Sequence, residues 1–324
     1  MDNYKLSIII AMYNSEKYIS DCLESIIQSD LPKECFEVII INDGSTDNGP
    51  KIAQEYCAKY ENFKYLTQYN QGQSVARNYG IKECHGEYIW CVDSDDAISS
   101  DVFSVFNKLV ESPDVDILEF KAKQIEEDGS FVNVVGENKL PYNTILSGRD
   151  AICGGYQPAT MWRLFARKDL LIKNNLFFVP GIIHQDAELA YRLYAHAEKV
   201  IFVDDPLYIY INHPNSTINA PTSEKKLKRL LDDIVVLKSF SRLSQEHLSD
   251  SLMSEVIKHK SMDVLFGIVY TLFRKRKEYS IDNINKKVIK KLREEELYPI
   301  NYDYHSFKKN IVKRILNIES VLYI

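Results

Sequence analysis

Asp93, Ser94, Asp95 and Asp96 put three carboxylates into four residues, directly after the apolar run Tyr88, Ile89, Trp90, Cys91 and Val92. Charges of one sign packed this closely repel, so the segment calls for a neutralising partner. Hard divalent cations such as Mg²⁺ or Mn²⁺ take oxygen ligands and commonly bring phosphate with them. The apolar run reads as a buried strand. The carboxyl end of a strand in an α/β sheet is where ligands bind. The same letters also fit an Asp-rich turn that caps a helix, and this stretch alone leaves both readings open.

The elements that would position these acids lie on the amino-terminal side. Residues 6–11 form a β-branched run, read as a fully buried strand, and Tyr18, Ile19, Cys22, Leu23, Ile26 and Ile27 follow at helical spacing. Residues 36–41 are a second buried strand, broken by Asn42, Asp43, Gly44, Ser45, Thr46 and Asp47, a turn rich in helix-capping residues. A helix to about Tyr60, a short strand at 64–66, and a helix from Gln71 and Gly72 to Glu83 lead into the strand that ends at Asp93. This alternation predicts a doubly wound, mainly parallel sheet. Beyond Asp96 the pattern loosens: a helix over 102–110, strands over 115–120, 131–135 and 162–166, short helices near 146–155 and 168–174, a helix from His184 to Ala197, and strands at 200–203 and 208–211.

In such a sheet the strand ends share one edge. Ala11, Met12, Tyr13 and Asn14 end the first strand; Asp43, Gly44 and Ser45 end the second; Gln71, Gly72 and Gln73 open the helix that carries Arg77 and Asn78; the acidic cluster ends the fourth. Their convergence says more than any one of them.

In this order the stretches resemble the inverting glycosyltransferases of family 2, which have the GT-A fold. Residues 7–14 resemble that family's first strand and turn. Residues 42–47 resemble its Asp-Asp-Gly-Ser-Thr-Asp, with Asn42 at the first position. Residues 70–80 match Asn-x-Gly-x-x-x-Ala-Arg-Asn-x-Gly, and Asp93, Ser94 and Asp95 are the DXD motif, which Asp96 extends. The resemblance runs over about residues 5–220 and is less dense after Asp96. It implies a GT-A, Rossmann-like domain over 1–220, with a nucleotide-binding half at 1–100 and an acceptor half at 101–220, followed by a helical subdomain over 221–324. It also implies roles. Asp43 would accept a hydrogen bond from the uracil of a UDP-sugar, Tyr13 would border that ring, and Ala11 would meet the base through its backbone. Arg77 would reach the nucleotide, Asp93 would lie near the ribose, and Asp95 would ligate Mn²⁺ or Mg²⁺, which offsets the charge of the leaving diphosphate.

Inversion in one displacement needs a base for the acceptor hydroxyl. Residues 181–186 match the family's segment bearing a Glu-Asp pair, with Gln185 in place of the Glu, so Asp186 would be the base and Glu188 the fallback. The same residues can serve as N-terminal acids complementing a helix dipole. The stretch His213, Pro214, Asn215, Ser216 and Thr217 resembles a loop that closes over the diphosphate, and His213 would be a further metal or phosphate contact. Trp162 to Phe165 can line an acceptor site or simply fill a core.

Composition narrows the classes. The chain has 324 residues, 45% hydrophobic and 27% charged, as ordinary globular proteins have. Six scattered cysteines without a CxxC pair read as reduced core residues of a cytosolic protein. The longest apolar stretch, 264–273, is too short to span a bilayer, and no secretory leader is read at the start. Residues 1–220 carry 19 Lys/Arg against 32 Asp/Glu, a net −13, whereas 221–324 carry 21 against 14, a net +7. The acidic body opposes nucleic-acid binding. The basic helical tail, with Lys225, Lys226, Lys228, Arg229, the run 274–277, and Lys286, Lys287, Lys290 and Lys291, is expected to pack on the catalytic body with its charges outward, and it offers a peripheral contact with an anionic inner membrane face. The expected partners are a UDP-sugar and a glycan or lipid-linked glycan acceptor, in the setting of bacterial capsule, lipopolysaccharide or other surface glycan. Two rivals remain: a sugar-nucleotide nucleotidyltransferase, which would want a Gly-rich basic loop where Met12 to Glu16 stand, and a catalytically silent nucleotide-sugar-binding scaffold.

Overall fold

The computed structural model describes residues 4–112, 114–213, 222–280 and 282–323. Residues 214–217 of the loop expected over the diphosphate, and the expected boundary at Pro221, lie outside the described residues. The chain divides into two compact units, one of Met1–Gly181 with Gln185–Pro214, the other of Ile182–His184 with Asn215–Ile324.

The first unit begins with strict alternation: β1 (Leu6–Met12), α1 (Ile19–Ile27), β2 (Phe36–Asp43), α2 (Gly49–Lys59), β3 (Phe63–Gln68), α3 (Gln73–Glu83) and β4 (Tyr88–Asp93). These four strands lie in the order β3-β2-β1-β4, all parallel. β2 is buried along its whole length and β1 nearly so, which explains why both read as unbroken apolar runs: helices cover both faces. The register sets Ala11 opposite both Ile41 and Asp93, so the ends of β1 and β4 are level and Asp43 lies just beyond. α3 sits close on the sheet because Gly80 has no side chain; a Cβ there would come within 2.5 Å of Ile9 Cγ2.

The second half of this unit is mixed. It comprises β5 (Ala97–Ile98), α4 (Phe103–Glu111), β6 (Ile117–Glu126), β7 (Phe131–Val135), β8 (Ile145–Leu146), α5 (Gly148–Cys153), β9 (Leu164–Arg167), α6 (Lys168–Lys173), α7 (Gln185–His196) and β10 (Val200–Asn212). β9 inserts antiparallel between β4 and β6, while β10 runs parallel to β6 and antiparallel to β5. The two strands expected at 200–203 and 208–211 are one. Pro206 has no N–H to give the ladder, and the register shifts on either side of it, which is why the apolar pattern breaks there. Trp90 anchors the core edge-on to Phe120 and Phe165, with its indole N–H donated to the Trp162 carbonyl at 2.8 Å.

The second unit is helical: α8 (Ser223–Glu246), α9 (Ser251–Arg274), α10 (Arg276–Ser280), α11 (Ile284–Glu294) and α12 (Phe307–Leu316). Thr222, Asp250 and Ser306 cap α8, α9 and α12 through their side chains. Leu237, Val269, Leu272, Val288, Leu292 and Leu316 are fully buried in its core. On α11 the lysines Lys286, Lys287 and Lys290 point outward while Val288, Ile289 and Leu292 point in. None of the described helices is long and apolar enough to cross a membrane.

Candidate active site

The turn after β2 is organised by its own carboxylate. Asp43 is buried; its Oδ1 accepts from Gln71 N at 2.8 Å and Gln68 Nε2 at 2.7 Å, and its Oδ2 accepts from Gly72 N at 2.8 Å. Gly72 has φ +90°, a conformation that glycine adopts without strain, and this lets the turn aim two consecutive N–H groups at one carboxylate before α3 begins. Asn42 Oδ1 accepts from Ser45 N at 2.9 Å, which is the turn-forming role an Asn serves as well as an Asp. Asn14 and Glu16 bond across to Ser45, Thr46, Asp47 and Asn48, so the end of β1 and this turn form one rigid rim, on which Tyr13 stands half exposed.

Arg77 joins the sequence motifs. Its side chain, only 1% exposed, donates Nη1 to Asp186 Oδ1 at 3.0 Å and Nη2 to Asp93 Oδ1. Residues 77, 93 and 186 thus meet at one point, carried by α3, β4 and the first turn of α7. Phe178 backs the guanidinium, its ring centroid 5.2 Å from Cζ, and Asn78 holds the Phe178 backbone by two hydrogen bonds of 2.8 and 2.9 Å. Burial pulls the Arg77 pKa down, but Asp186 and Asp93 outweigh it and hold the guanidinium firmly charged. Asp186 is raised above the ordinary carboxylate range, because burial outweighs the pull of Arg77 and Asp93 adds repulsion. Among the described residues only its Oδ1 accepts a hydrogen bond, which leaves Oδ2 without one.

The remaining acids differ from one another. Asp96 is buried and accepts from Tyr208 Oη at 2.7 Å and Ile211 N at 2.8 Å; burial and Asp93 push its pKa well up. Asp95 is open to solvent yet crowded by surrounding protein and by Asp93, which together raise its pKa. It receives no side-chain hydrogen bond from another described residue. His213 lies differently from a metal ligand: Nδ1 is 2.6 Å from Glu127 Oε1 and Nε2 is 2.9 Å from the Asp95 carbonyl. Both partners accept, which favours a proton on each ring nitrogen. Burial lowers the His213 pKa, but these two partners outweigh it and raise it. Glu188, the fallback base, is buried in an ion pair with Arg192 at 2.7 Å, and His184 lies 3.4 Å from Asp233.

Several contributors carry no assigned role in the sequence. Gln73 reaches Asp93 Oδ1 at 3.2 Å and accepts from Gln185 Nε2 at 2.6 Å, while Gln185 Oε1 accepts from Ser74. Gln185, in place of the family's Glu, therefore ties α7 to the start of α3 by neutral hydrogen bonds. Tyr208, which also accepts from Asp93 N at 3.1 Å, fixes the acidic turn from β10. Gln73 and Gln185 lie inside the recognised motifs, whereas nothing in the spacing singles out Tyr208. All six cysteines are free.

Could this site hold a divalent cation? Among the described residues no group of three or more His, Cys, Asp or Glu is arranged around a common point. Asp95 nonetheless accepts no side-chain hydrogen bond from another described residue, and Asp93 beside it adds negative charge. A cation bound by one or two carboxylates and completed by substrate phosphates needs no larger cage.

Comparison with known proteins identifies the family. Residues 7–157 match the family model described as Glycosyl transferase family 2. A relative from Escherichia coli (strain K12), named "Uncharacterized glycosyltransferase YibD", is 31% identical over 71% of this chain and 71% of its own length. The Bacillus subtilis (strain 168) protein "Uncharacterized glycosyltransferase EpsJ" is 31% identical over 67% of this chain, which spans 63% of that relative. The solved structure of Staphylococcus aureus TarS in complex with UDP-GlcNAc superposes with a TM-score of 0.61, at 22% identity, over 98% of this chain and 90% of that one. Fold and site together define a glycosyltransferase of the GT-A fold with a helical carboxyl-terminal region. The chain belongs to glycosyltransferase family 2.

Proposed function

We propose that the protein transfers a sugar from a UDP-sugar to a glycan hydroxyl, with inversion, in the assembly of a bacterial surface glycan. The observation that carries this reading is the double ion pair of Arg77, which joins the first Asp of the DXD motif to the candidate base. TarS supports the choice of nucleotide. It is named poly(ribitol-phosphate) beta-N-acetylglucosaminyltransferase, is 28% identical over 70% of this chain, and is solved with UDP-GlcNAc.

In this reading the donor lies along the level ends of β1, β2 and β4. The Ala11 backbone and Tyr13 border the base. Asp43 acts through the turn it holds, and a uracil N–H would share a carboxylate that already serves three donors. Asp93 faces the ribose side while Arg77 holds its carboxylate. Asp95 holds Mn²⁺ or Mg²⁺, which would supply charge compensation to the departing diphosphate. His213 steadies the Asp95 turn as a cation; to ligate the metal it would first have to release the Asp95 carbonyl.

Asp186 takes the acceptor proton on Oδ2. Its raised pKa brings its basicity closer to neutral pH, and Arg77 fixes its orientation. A panel of UDP-, GDP- and dTDP-sugars with Mn²⁺ or Mg²⁺, scored for binding and slow hydrolysis, tests the donor. Proton NMR of the first product formed tests inversion. Preference for a GDP-sugar, or a product with the donor's anomeric configuration, would overturn those parts of the reading.

A further inference from the structure

α12 presents an unusual face. Leu316 is buried on its inner side, yet Phe307 is 81% exposed, and Ile311, Ile315 and the following Ile318 are exposed as well. At roughly 100° per residue the side chains of Phe307, Ile311 and Ile315 fall within an arc of about 80°, and Ile318 follows just past the helix end. Arg314 lies on one flank of that arc and Lys308 on the other; both are exposed, and neither forms an ion pair with a described residue. Lys309 and Lys313 turn away, paired with Asp263 at 2.7 Å and Asp303 at 2.8 Å. Residues 307–318 contain four basic residues and no acid.

A stripe of large apolar residues in water needs an explanation. Two features name the occupant. The apolar arc is narrow, convex and bordered on both sides by cations, the arrangement of a helix lying in the plane of a bilayer. The region 221–324 carries a net +7, which suits a negatively charged surface and opposes a second copy of itself. We infer that α12 is a membrane-seating helix, with Phe307, Ile311, Ile315 and Ile318 in the headgroup–acyl boundary of an anionic phospholipid bilayer and Lys308 and Arg314 on its phosphates. The basic residues of α11 add attraction but no apolar anchor. The inference is independent of sugar transfer, because vesicle binding requires no turnover.

Co-sedimentation of the whole chain with vesicles tests it, using phosphatidylcholine alone or with phosphatidylglycerol added. The wild type is expected to bind the anionic vesicles and leave the neutral ones largely unbound. F307S/I311S should lower the partition coefficient by about tenfold or more. K308Q/R314Q should lower it by about tenfold. K286Q/K287Q/K290Q should retain most of the binding. Unchanged thermal unfolding and unchanged UDP-sugar hydrolysis in these variants separate loss of seating from loss of fold or active site. F307W supplies a second readout that leaves the apolar face intact: its emission should shift to the blue when anionic vesicles are added. Equal binding by F307S/I311S and wild type would overturn the inference. So would loss of binding only in the α11 variant, or an unshifted F307W spectrum. A dimer in sedimentation velocity that F307S/I311S dissociates, without vesicle binding, would assign the stripe to a second copy instead.

Discussion

The turn after β2 and the turn after β4 are both acidic, both end a parallel strand, and both face the same edge of the sheet. They satisfy their carboxylates in opposite ways. In the first, Asp43 accepts three hydrogen bonds from its own neighbourhood, and Asp47 accepts from Glu16 N and Gly49 N. In the second, Asp93 is taken by Arg77 and Gln73 and Asp96 by Tyr208 and Ile211, while Asp95 has no side-chain donor among the other described residues and a raised pKa. The first turn is closed, and its acid serves as structure. The second keeps one carboxylate, Asp95, exposed and crowded by Asp93. Acidic residues at strand ends thus do different work according to how many N–H groups the neighbouring loops aim at them.

Four substitutions would break or sharpen that contrast. The largest effect is expected at Asp186, outside both turns but tied to the second through Arg77. Asp186→Asn should lower kcat by about 10²–10⁴, the usual worth of a general base, with donor KM little changed in steady-state assays. The wild-type rate must rise with pH as Asp186 loses its proton. Because its pKa is raised, the acid limb of kcat/KM should lie above the ordinary Asp value of about 3.9.

Next is Arg77→Met. It leaves Asp93 and Asp186 facing each other without the cation between them, and breaking such a buried pair costs about 3–5 kcal/mol, measurable by urea unfolding. If enough folded protein remains to assay, the acid limb should move to higher pH, since Asp186 loses the neighbour that lowers its pKa.

Asp43→Asn is expected to cost about 2 kcal/mol, because the new amide cannot accept from Gly72 N. The same chemical change at Asp95 should act in reverse. Asp95→Asn should raise stability at neutral pH, because ionising this carboxylate costs the folded protein energy. The sign follows from its raised pKa: the wild type loses stability as pH rises from the ordinary Asp value through the folded one, and the variant does not. Below that window the two unfolding midpoints should coincide. Parallel stability losses at Asp43 and Asp95 would erase the distinction between the turns.

Much of this site was legible in the chain. The buried runs at 6–11, 36–41 and 88–92 read as strands covered on both faces, and their alternation with helices pointed to a mainly parallel sheet whose strand ends converge. Ordered motifs then brought Asp43, Arg77, Asp93, Asp95 and Asp186 forward. What each side chain touches was less legible. Arg77 reads as a ligand-facing cation, but its buried position on α3 turns it toward two carboxylates. His213 reads as a ligand, but its ring sits between two acceptors. Tyr208 gave no signal, because its hydroxyl matters through Asp96 and the Asp93 backbone, which it meets from more than a hundred residues away. The antiparallel insertion of β9 was also hidden, since strand order depends on long-range pairing and not on local pattern.

The most direct test titrates UDP into the protein by calorimetry, with and without Mn²⁺, for the wild type, Asp95→Asn and Asp43→Asn. If Asp95 is the open acid of the pair, Mn²⁺ should tighten UDP binding to the wild type and to Asp43→Asn and have little effect on Asp95→Asn. A metal effect that persists undiminished in Asp95→Asn would contradict the account.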